Sequence, residues 1–221
     1  MKKEKSCLIT QALVSSIDWR FTAPNTVIAP ERGGNGVITW SEQAHIDLYN
    51  MLSRTPTPFP EPARQGVEFE KMVYKRANDT NLKGSESFQK VCKEVKGFSF
   101  YQKRGVNLEI AHENCYLYGK FDAIKLPVIK DIKTTASYKT GKYLNGFQHK
   151  LYCYITKAEK FAYIIVEWEL FPKIKNVYKE SFIVVDQKSL EKEVIETVEQ
   201  CFQNLKSLNL WDVYREKYCL Y

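Results

Sequence analysis

Apolar residues recur every three or four positions in the first half of the chain, the spacing of one face of a helix. This period covers 41–54 and 66–79, and a third segment, 85–97, ends at a glycine, the residue most common just past a helix end. Residues 55–62 (TPTPFPEP) carry a proline at every second position and predict an extended linker. Residues 1–40 show no clear period and predict irregular chain, with a turn at the glycine-rich segment 31–36.

The period changes to two after residue 97, as in strands whose side chains alternate between two faces. The predicted strands are 98–106, 107–113, 115–126, 127–136, 160–170 and 175–186. Helical spacing returns over 141–157 and again over 187–206, which a short aromatic tail follows. This order predicts an α/β fold with a mixed central β-sheet flanked by α-helices.

The length of 221 residues is enough for one domain with a sizeable core. We expect a single domain made of an N-terminal helix and extended linker (1–62), a core (63–186) and C-terminal helices (187–221).

Charge and cysteine content narrow the functional classes only moderately. The 33 Lys and Arg against 26 Asp and Glu give a net charge of +7, which fits a polyanionic partner but equally a basic, well-solvated surface. The six cysteines form no C-x-x-C pair, and we expect reduced, mostly buried thiols in a cytoplasmic protein. No apolar run approaches membrane-spanning length, and we expect no membrane association.

The segment VIKDIKTT (128–135) places charged residues in an otherwise apolar strand. Asp131 and Lys133 are two positions apart and share a face, and Asp122 precedes them on the neighbouring strand, across a turn at 126–127. Adjacent carboxylates repel and are costly to bury, whereas Mg²⁺ binds such oxygens and keeps several waters. Lys133 would then orient a water or neutralise a phosphoryl oxygen. The alternative is a salt-bridged pair on an exposed strand face.

Two predicted helices offer further polar groups to this position. Gln148 and Tyr152 are one turn apart and share a helix face. Glu70 would add a carboxylate from the helix at 66–79, and Glu68 competes with it for that role. His149 should point away from the Gln148 face, and we expect it at the surface.

The motifs G-x-x-x-E (66–70), G-x-x-D (119–122), D-x-K (131–133) and Q-x-x-x-Y (148–152) occur in this order. The ordered set resembles the PD-(D/E)XK nuclease superfamily, especially its RecB-like branch, which includes phage-type exonucleases. The resemblance spans residues 64–156 and implies a restriction-endonuclease-like core. Asp131 stands where many relatives have glutamate.

The resemblance also implies roles for individual residues. It assigns catalysis to Asp122, Asp131 and Lys133, and a metal ion to Glu70, Asp122, Asp131 and the Ile132 carbonyl. Gln148 and Tyr152 would support the site and touch the nucleic acid. The implied cofactor is Mg²⁺, for which Mn²⁺ substitutes. Only Cys201 and Cys219 lie near the C-terminus, so we expect no iron–sulfur cluster.

These expectations describe a metal-dependent DNA nuclease, an exonuclease of recombination, repair or phage DNA processing. Two alternatives stay open: a non-cleaving nucleic-acid-binding subunit of a DNA-processing complex, and a restriction-type endonuclease. Lys139, Lys142 and Lys150 surround the motifs in sequence and would either contact phosphates or simply be solvated. A homo-oligomer and a helicase or recombinase partner are both compatible with this interpretation.

Overall fold

Six strands and seven helices follow one another in the computed structural model, which describes residues 6–28 and 38–219. The strands are β1 (Cys7–Thr10), β2 (Ser99–Ile110), β3 (Glu113–Lys125), β4 (Val128–Thr135), β5 (Lys160–Leu170) and β6 (Lys173–Ile183). The helices are α1 (Gln11–Thr22), α2 (Trp40–Leu52), α3 (Glu61–Arg76), α4 (Glu86–Val95), α5 (Gln148–Thr156), α6 (Gln187–Ser207) and α7 (Trp211–Tyr218).

The strands form one mixed sheet. Their order is β1-β3-β4-β5-β6, and β2 pairs with β3. The β1–β3 and β4–β5 pairs are parallel, whereas β3–β4 and β5–β6 are antiparallel. The predicted mixed central sheet flanked by helices is therefore confirmed.

Contacts divide the chain into two compact units. Of the described residues, the first comprises 6–28, 38–57, 105–118 and 191–219, and the second comprises 58–104 and 119–190. The single-domain organisation expected from the sequence stays a prediction.

The first unit packs α7 against the N-terminal elements. The Tyr214 hydroxyl donates to the Leu8 carbonyl at 3.2 Å, and the Tyr218 hydroxyl donates to the Met51 carbonyl at 3.0 Å. Cys7 and Cys219 form a disulfide. The expectation of six reduced thiols was therefore wrong for this pair, while the other four cysteines are free and buried.

The second unit holds every residue of the predicted site. Its core packs α3 and α4 on one face of the sheet, where Phe69, Val73 and Val91 join Ile132 and Ile164 in one buried cluster. Side chains at alternate positions of β4 point to the opposite face, because strand side chains alternate. Asp131 and Lys133 lie on that opposite face.

Two predictions for the N-terminal part need correction. Residues 1–40 are not uniformly irregular, because β1 and α1 lie within them; Thr10 caps α1 by accepting from the Leu13 backbone N–H at 3.3 Å. The linker is shorter than predicted, because α3 begins at Glu61. Proline is tolerated in a first helical turn, where its missing N–H has no helical partner. The predicted turn at 31–36 lies outside the described residues.

Three further differences lie in the second half. The segments 98–106 and 107–113 belong mainly to one continuous strand, β2, and the aromatic tail contains helix α7. Helix α5 begins at Gln148 instead of 141, because Gly141 has φ +81° and its N–H donates to a side chain instead of to a helical turn. Within the described residues, no helix combines the length and apolar character needed to cross a bilayer.

Candidate active site

Strand β4 places a carboxylate and an ammonium group in contact. Asp131 is 1% exposed, and its Oδ2 lies 2.9 Å from Lys133 Nζ. Burial disfavours the charged ammonium, but attraction to Asp131 and Asp122 outweighs it and raises the pKa of Lys133. The shared strand face predicted this pair, and its burial excludes the alternative of an exposed surface salt bridge.

Asp122 lies opposite Asp131 on the neighbouring strand. The antiparallel register pairs Ala123 with Lys130, so the next positions along the two strands are Asp122 and Asp131. Burial, the charge of Asp131 and a hydrogen bond between the two carboxyl groups raise the pKa of Asp122 to about 9. The turn at 126–127 thus brings the two carboxylates together, as the sequence predicted.

Gln148 supplies the second contact to Asp131. As the first residue of α5, it donates from Nε2 to Asp131 Oδ1 at 2.6 Å. Asp131 Oδ2 is buried, and no described group donates to it in hydrogen-bond geometry, although Lys133 approaches it as an ion pair. The protein therefore holds Oδ1 by a hydrogen bond from Gln148 and Oδ2 by the charge of Lys133.

Glu70, and not Glu68, is the carboxylate that α3 brings to the site. Burial and the charge of Asp131 raise the pKa of Glu70 to about 7, against the attraction of Lys120 and Lys133. Glu68 is exposed and lies 3.7 Å from Arg64 Nη1. Glu70 is thus half-buried within electrostatic range of Asp131 and Lys133, whereas Glu68 is exposed.

Tyr152 is a buried support of the site. Its hydroxyl donates to the Lys120 carbonyl at 2.9 Å, two residues before Asp122, and its ring meets Phe121 edge-on with centroids 4.7 Å apart. Of the two expected roles, the geometry fits support and leaves no exposed face for nucleic acid. His149 is also buried, 3.3 Å from the Tyr163 hydroxyl, so the expected surface position was wrong.

The remaining predicted residues lie at different depths. The Ile132 side chain is buried in the core cluster, so only its main-chain carbonyl is a candidate ligand. Lys139 and Lys142 are exposed between β4 and α5, and Lys150 is half-buried on α5.

Several residues that the motifs did not indicate surround the carboxylates. Tyr163 is the register partner of Asp131 on β5, and its ring centroid is 5.8 Å from Lys133 Nζ. Lys120 Nζ lies 5.2 Å from the Tyr101 ring centroid, and Tyr101 has a left-handed backbone with φ +54°. The β4–β5 register was the one signal that could have identified Tyr163. No feature of the sequence marks the left-handed backbone of Tyr101.

Two motif glycines permit close packing at the site. A Cβ on Gly119 would lie 2.9 Å from Phe121 Cζ and 3.1 Å from Tyr152 Cε1. A Cβ on Gly66 would lie 2.8 Å from Thr134 Oγ1, so the glycine lets α3 approach β4 and carry Glu70 toward Asp131.

We expect Gly66→Ala to destabilise the fold by about 1 kcal/mol, since overpacking costs about 1–3 kcal/mol and the gain in helix propensity offsets up to about 1 kcal/mol. In a Thr134→Ala background the same change should stabilise, because Thr134 Cβ is 4.0 Å away and only Oγ1 is crowded. Urea unfolding of the four proteins gives the coupling energy. An equal effect of Gly66→Ala in both backgrounds would contradict this explanation.

The donor set fits a hard divalent cation. The repulsion between two facing carboxylates and the raised pKa of a third are relieved together when a cation binds. Across 6–28 and 38–219, no three His, Cys, Asp or Glu residues stand close enough together to form a ready metal site. Mg²⁺ suits this arrangement, because it binds through one or two carboxylates and keeps several waters.

We expect Asp122→Asn to stabilise the protein in EDTA by more than about 1 kcal/mol at pH 8, because at that pH folding must protonate the Asp122 carboxylate, a cost that the amide avoids. The folded-state pKa of Asp122 is raised to about 9 from an ordinary 3.8. The stability that Asp122 contributes to the fold is therefore fully present below its ordinary pKa of 3.8 and is lost as the pH rises toward 9. The gain should shrink toward pH 4.

Thermal unfolding in EDTA at both pH values measures this gain. In excess Mg²⁺ the wild type should become more stable than Asp122→Asn, because the cation stabilises the wild type more than the variant. A variant less stable than the wild type in EDTA at pH 8 would show that the carboxylates do not repel.

Comparison with known proteins gives similar chain paths at low identity. No protein-family model and no curated protein matches the chain. An alkaline exonuclease from Laribacter hongkongensis has a TM-score of 0.48 at 11% identity, covering 91% of each chain. A phage-related exonuclease from Haemophilus somnus 129PT has a TM-score of 0.45 at 12% identity, covering 88% of this chain and 94% of that one.

The protein SSO0001 has a TM-score of 0.49 at 14% identity, covering 90% of this chain and 78% of its own. Two of these three structures are exonucleases. Because each TM-score is below 0.5, the function proposed below rests on the side chains of the site.

Proposed function

We propose that this protein is a divalent-metal-dependent deoxyribonuclease that hydrolyses phosphodiester bonds at the Asp122–Asp131 pair. The observation that carries the proposal is the environment of Asp131. This buried carboxylate faces Asp122, its Oδ2 lies 2.9 Å from the Lys133 ammonium, and Gln148 donates to its Oδ1 at 2.6 Å. This arrangement would destabilise an ordinary hydrophobic core, because buried carboxylates without compensating charges are costly.

Asp122, Asp131 and Glu70 would hold the metal together with the Ile132 carbonyl. A bound Mg²⁺ would neutralise phosphate oxygens and lower the pKa of a bound water. Mn²⁺ is expected to substitute, because it also prefers oxygen ligands.

The side chains of this chain have separable tasks. Gln148 fixes the rotation of the Asp131 carboxylate through Oδ1. Lys133 keeps its proton because its pKa is raised, so it presents a positive charge to a phosphoryl oxygen. Tyr152 holds the main chain of β3 at Lys120, close to Asp122.

We further propose an exonuclease that acts on DNA ends in recombination, repair or phage DNA processing. The net charge of +7 suits a DNA substrate. A homo-oligomer or a helicase or recombinase partner would set its processivity.

The test compares end-labelled linear DNA with closed circular DNA, each incubated with Mg²⁺ or with EDTA. Mg²⁺-dependent release of nucleotides from linear DNA alone supports the exonuclease. Cleavage of the circle identifies an endonuclease, and DNA binding without cleavage in Mg²⁺ and Mn²⁺ identifies a non-cleaving subunit. Cleavage that persists in excess EDTA contradicts the metal site.

A further inference from the structure

Residues 136–147 connect the two elements that bring Lys133 and Gln148 to Asp131. Each end of this loop is fixed independently of its middle. At one end Thr135 pairs with Glu167 on β5; at the other, Phe147 is buried and Gln148 binds Asp131. Loss of contacts in the middle of the loop should therefore leave Lys133 and Gln148 in place.

The middle of loop 136–147 is held by a buried carboxylate on β6. Glu180 is 6% exposed, and its Oε1 accepts from the Tyr138 hydroxyl at 2.5 Å and from the Gly141 N–H at 2.6 Å. Its Oε2 is buried and has no hydrogen-bond partner in the described part of the chain. Because an uncompensated buried carboxylate is costly, these two loop contacts are the groups that offset its burial.

The loop presents cations beside the candidate site. Lys139 and Lys142 are exposed, and Lys142 Nζ lies 3.4 Å from Thr135 Oγ1, two residues after Lys133 on β4. Tyr143 packs on Tyr163 with ring centroids 5.6 Å apart, and the Tyr163 ring centroid lies 5.8 Å from Lys133 Nζ. The loop therefore lies against the wall of the site next to Lys133.

We propose that Glu180 is a positioning residue that holds loop 136–147 so that Lys139 and Lys142 bind the DNA backbone next to the cleaved bond. The inference rests on the proposed function and adds the element that contacts the substrate. Lysines neutralise phosphates whatever the base sequence. Since the loop ends are fixed separately, releasing the middle weakens substrate binding and leaves turnover at saturation unchanged.

Tyr138→Phe tests this inference, because it removes the hydroxyl bound to Glu180 and keeps the ring. Tyr178→Phe is the matched control. The two rings lie 4.5 Å apart, and the Tyr178 hydroxyl donates to another buried carboxylate, Glu167, at 3.1 Å. Of these two hydroxyls, the one on Tyr138 is bound to the carboxylate that holds the loop.

We expect Tyr138→Phe to raise KM and the Kd for linear DNA about three- to tenfold, the scale of one hydrogen bond of ordinary net strength, because Gly141 still holds the loop to Glu180. kcat should stay within about twofold, and Tyr178→Phe should match the wild type in all three quantities. Glu180→Gln keeps an acceptor for both loop donors and should bind DNA like the wild type. Glu180→Met has no such acceptor and should bind DNA more weakly. Replacing both Lys139 and Lys142 by Ala should lower the slope of log Kd against log salt by about 2.

Binding is measured by fluorescence anisotropy in EDTA, so this readout is independent of cleavage. Equal Kd values for Tyr138→Phe and Tyr178→Phe would overturn the inference, as would a fall in kcat at unchanged KM. If the wild type fails to cleave DNA in Mg²⁺ but Tyr138→Phe alone loses affinity, the proposed function fails while the role of the loop survives. If Glu180→Met does not fold, the comparison of Tyr138→Phe with Tyr178→Phe still tests the role of Glu180.

Discussion

Asp131→Asn is expected to reduce Mg²⁺-dependent DNA cleavage by at least about 10³-fold, the upper end of the loss for one charged contact. The amide retains an oxygen for Gln148 but replaces Oδ2 with a donor that faces the Lys133 ammonium 2.9 Å away. The substitution therefore removes both the negative charge for a cation and the ion pair. Asp122→Asn should lose nearly all turnover for the first of these reasons.

Cleavage of end-labelled DNA by wild type and variant, in Mg²⁺ and in EDTA, measures this loss. Glu167→Gln is the matched control, because Glu167 is also buried but its hydrogen bonds come from residues of β6, including Asn176 and Tyr178. The control should cleave DNA at the wild-type rate. An Asp131→Asn protein that folds and still cleaves at more than about a tenth of that rate would remove Asp131 from the chemistry.

The contacts that the sequence could predict depend on local geometry. A period of two places Asp131 beside Lys133, and a two-residue turn fixes the antiparallel register that places Asp122 opposite Asp131. The ordered motifs then indicated that Gln148 would approach the same carboxylate, and the structure places its amide there. The two strands involved have boundaries that the pattern gives within two residues, and Gln148 lies inside the predicted helix although α5 begins only there.

The contacts that escaped prediction join residues far apart in sequence. Glu180 looks like a solvated strand residue, and only the fold reveals that Tyr138 and Gly141 bind it. The helical period predicts His149 on an outward helix face, but β5 and β6 enclose it. The ring centroids of His149 and Phe182 are 4.4 Å apart. Helix α1 escaped because its apolar residues are spread around the helix, with Trp19 and Phe21 exposed, and give no clear period. Burial within the first unit defines this helix more than periodicity does.

Lys133→Ala is expected to lower turnover by about 10²-fold or more while the Kd for DNA changes less than about twofold. The ammonium lies against Asp131 with a raised pKa, so at neutral pH it carries a full charge beside the position of the phosphate. Its removal leaves Asp122, Gln148 and the Asp131 carboxylate in place. The loss should therefore fall on the chemical step and not on substrate binding.

Lys130→Ala is the matched control for this variant. Lys130 also lies on β4 and is also ion-paired, with Glu94 at 2.8 Å, but it points to the opposite face of the sheet. Its loss should lower thermal stability and leave kcat unchanged, which separates damage to the strand from loss of the charge at Lys133. Single-turnover cleavage and DNA anisotropy should be measured on both variants. If DNA affinity falls in step with turnover for Lys133→Ala, Lys133 is a phosphate anchor; if neither changes, the catalytic role is wrong.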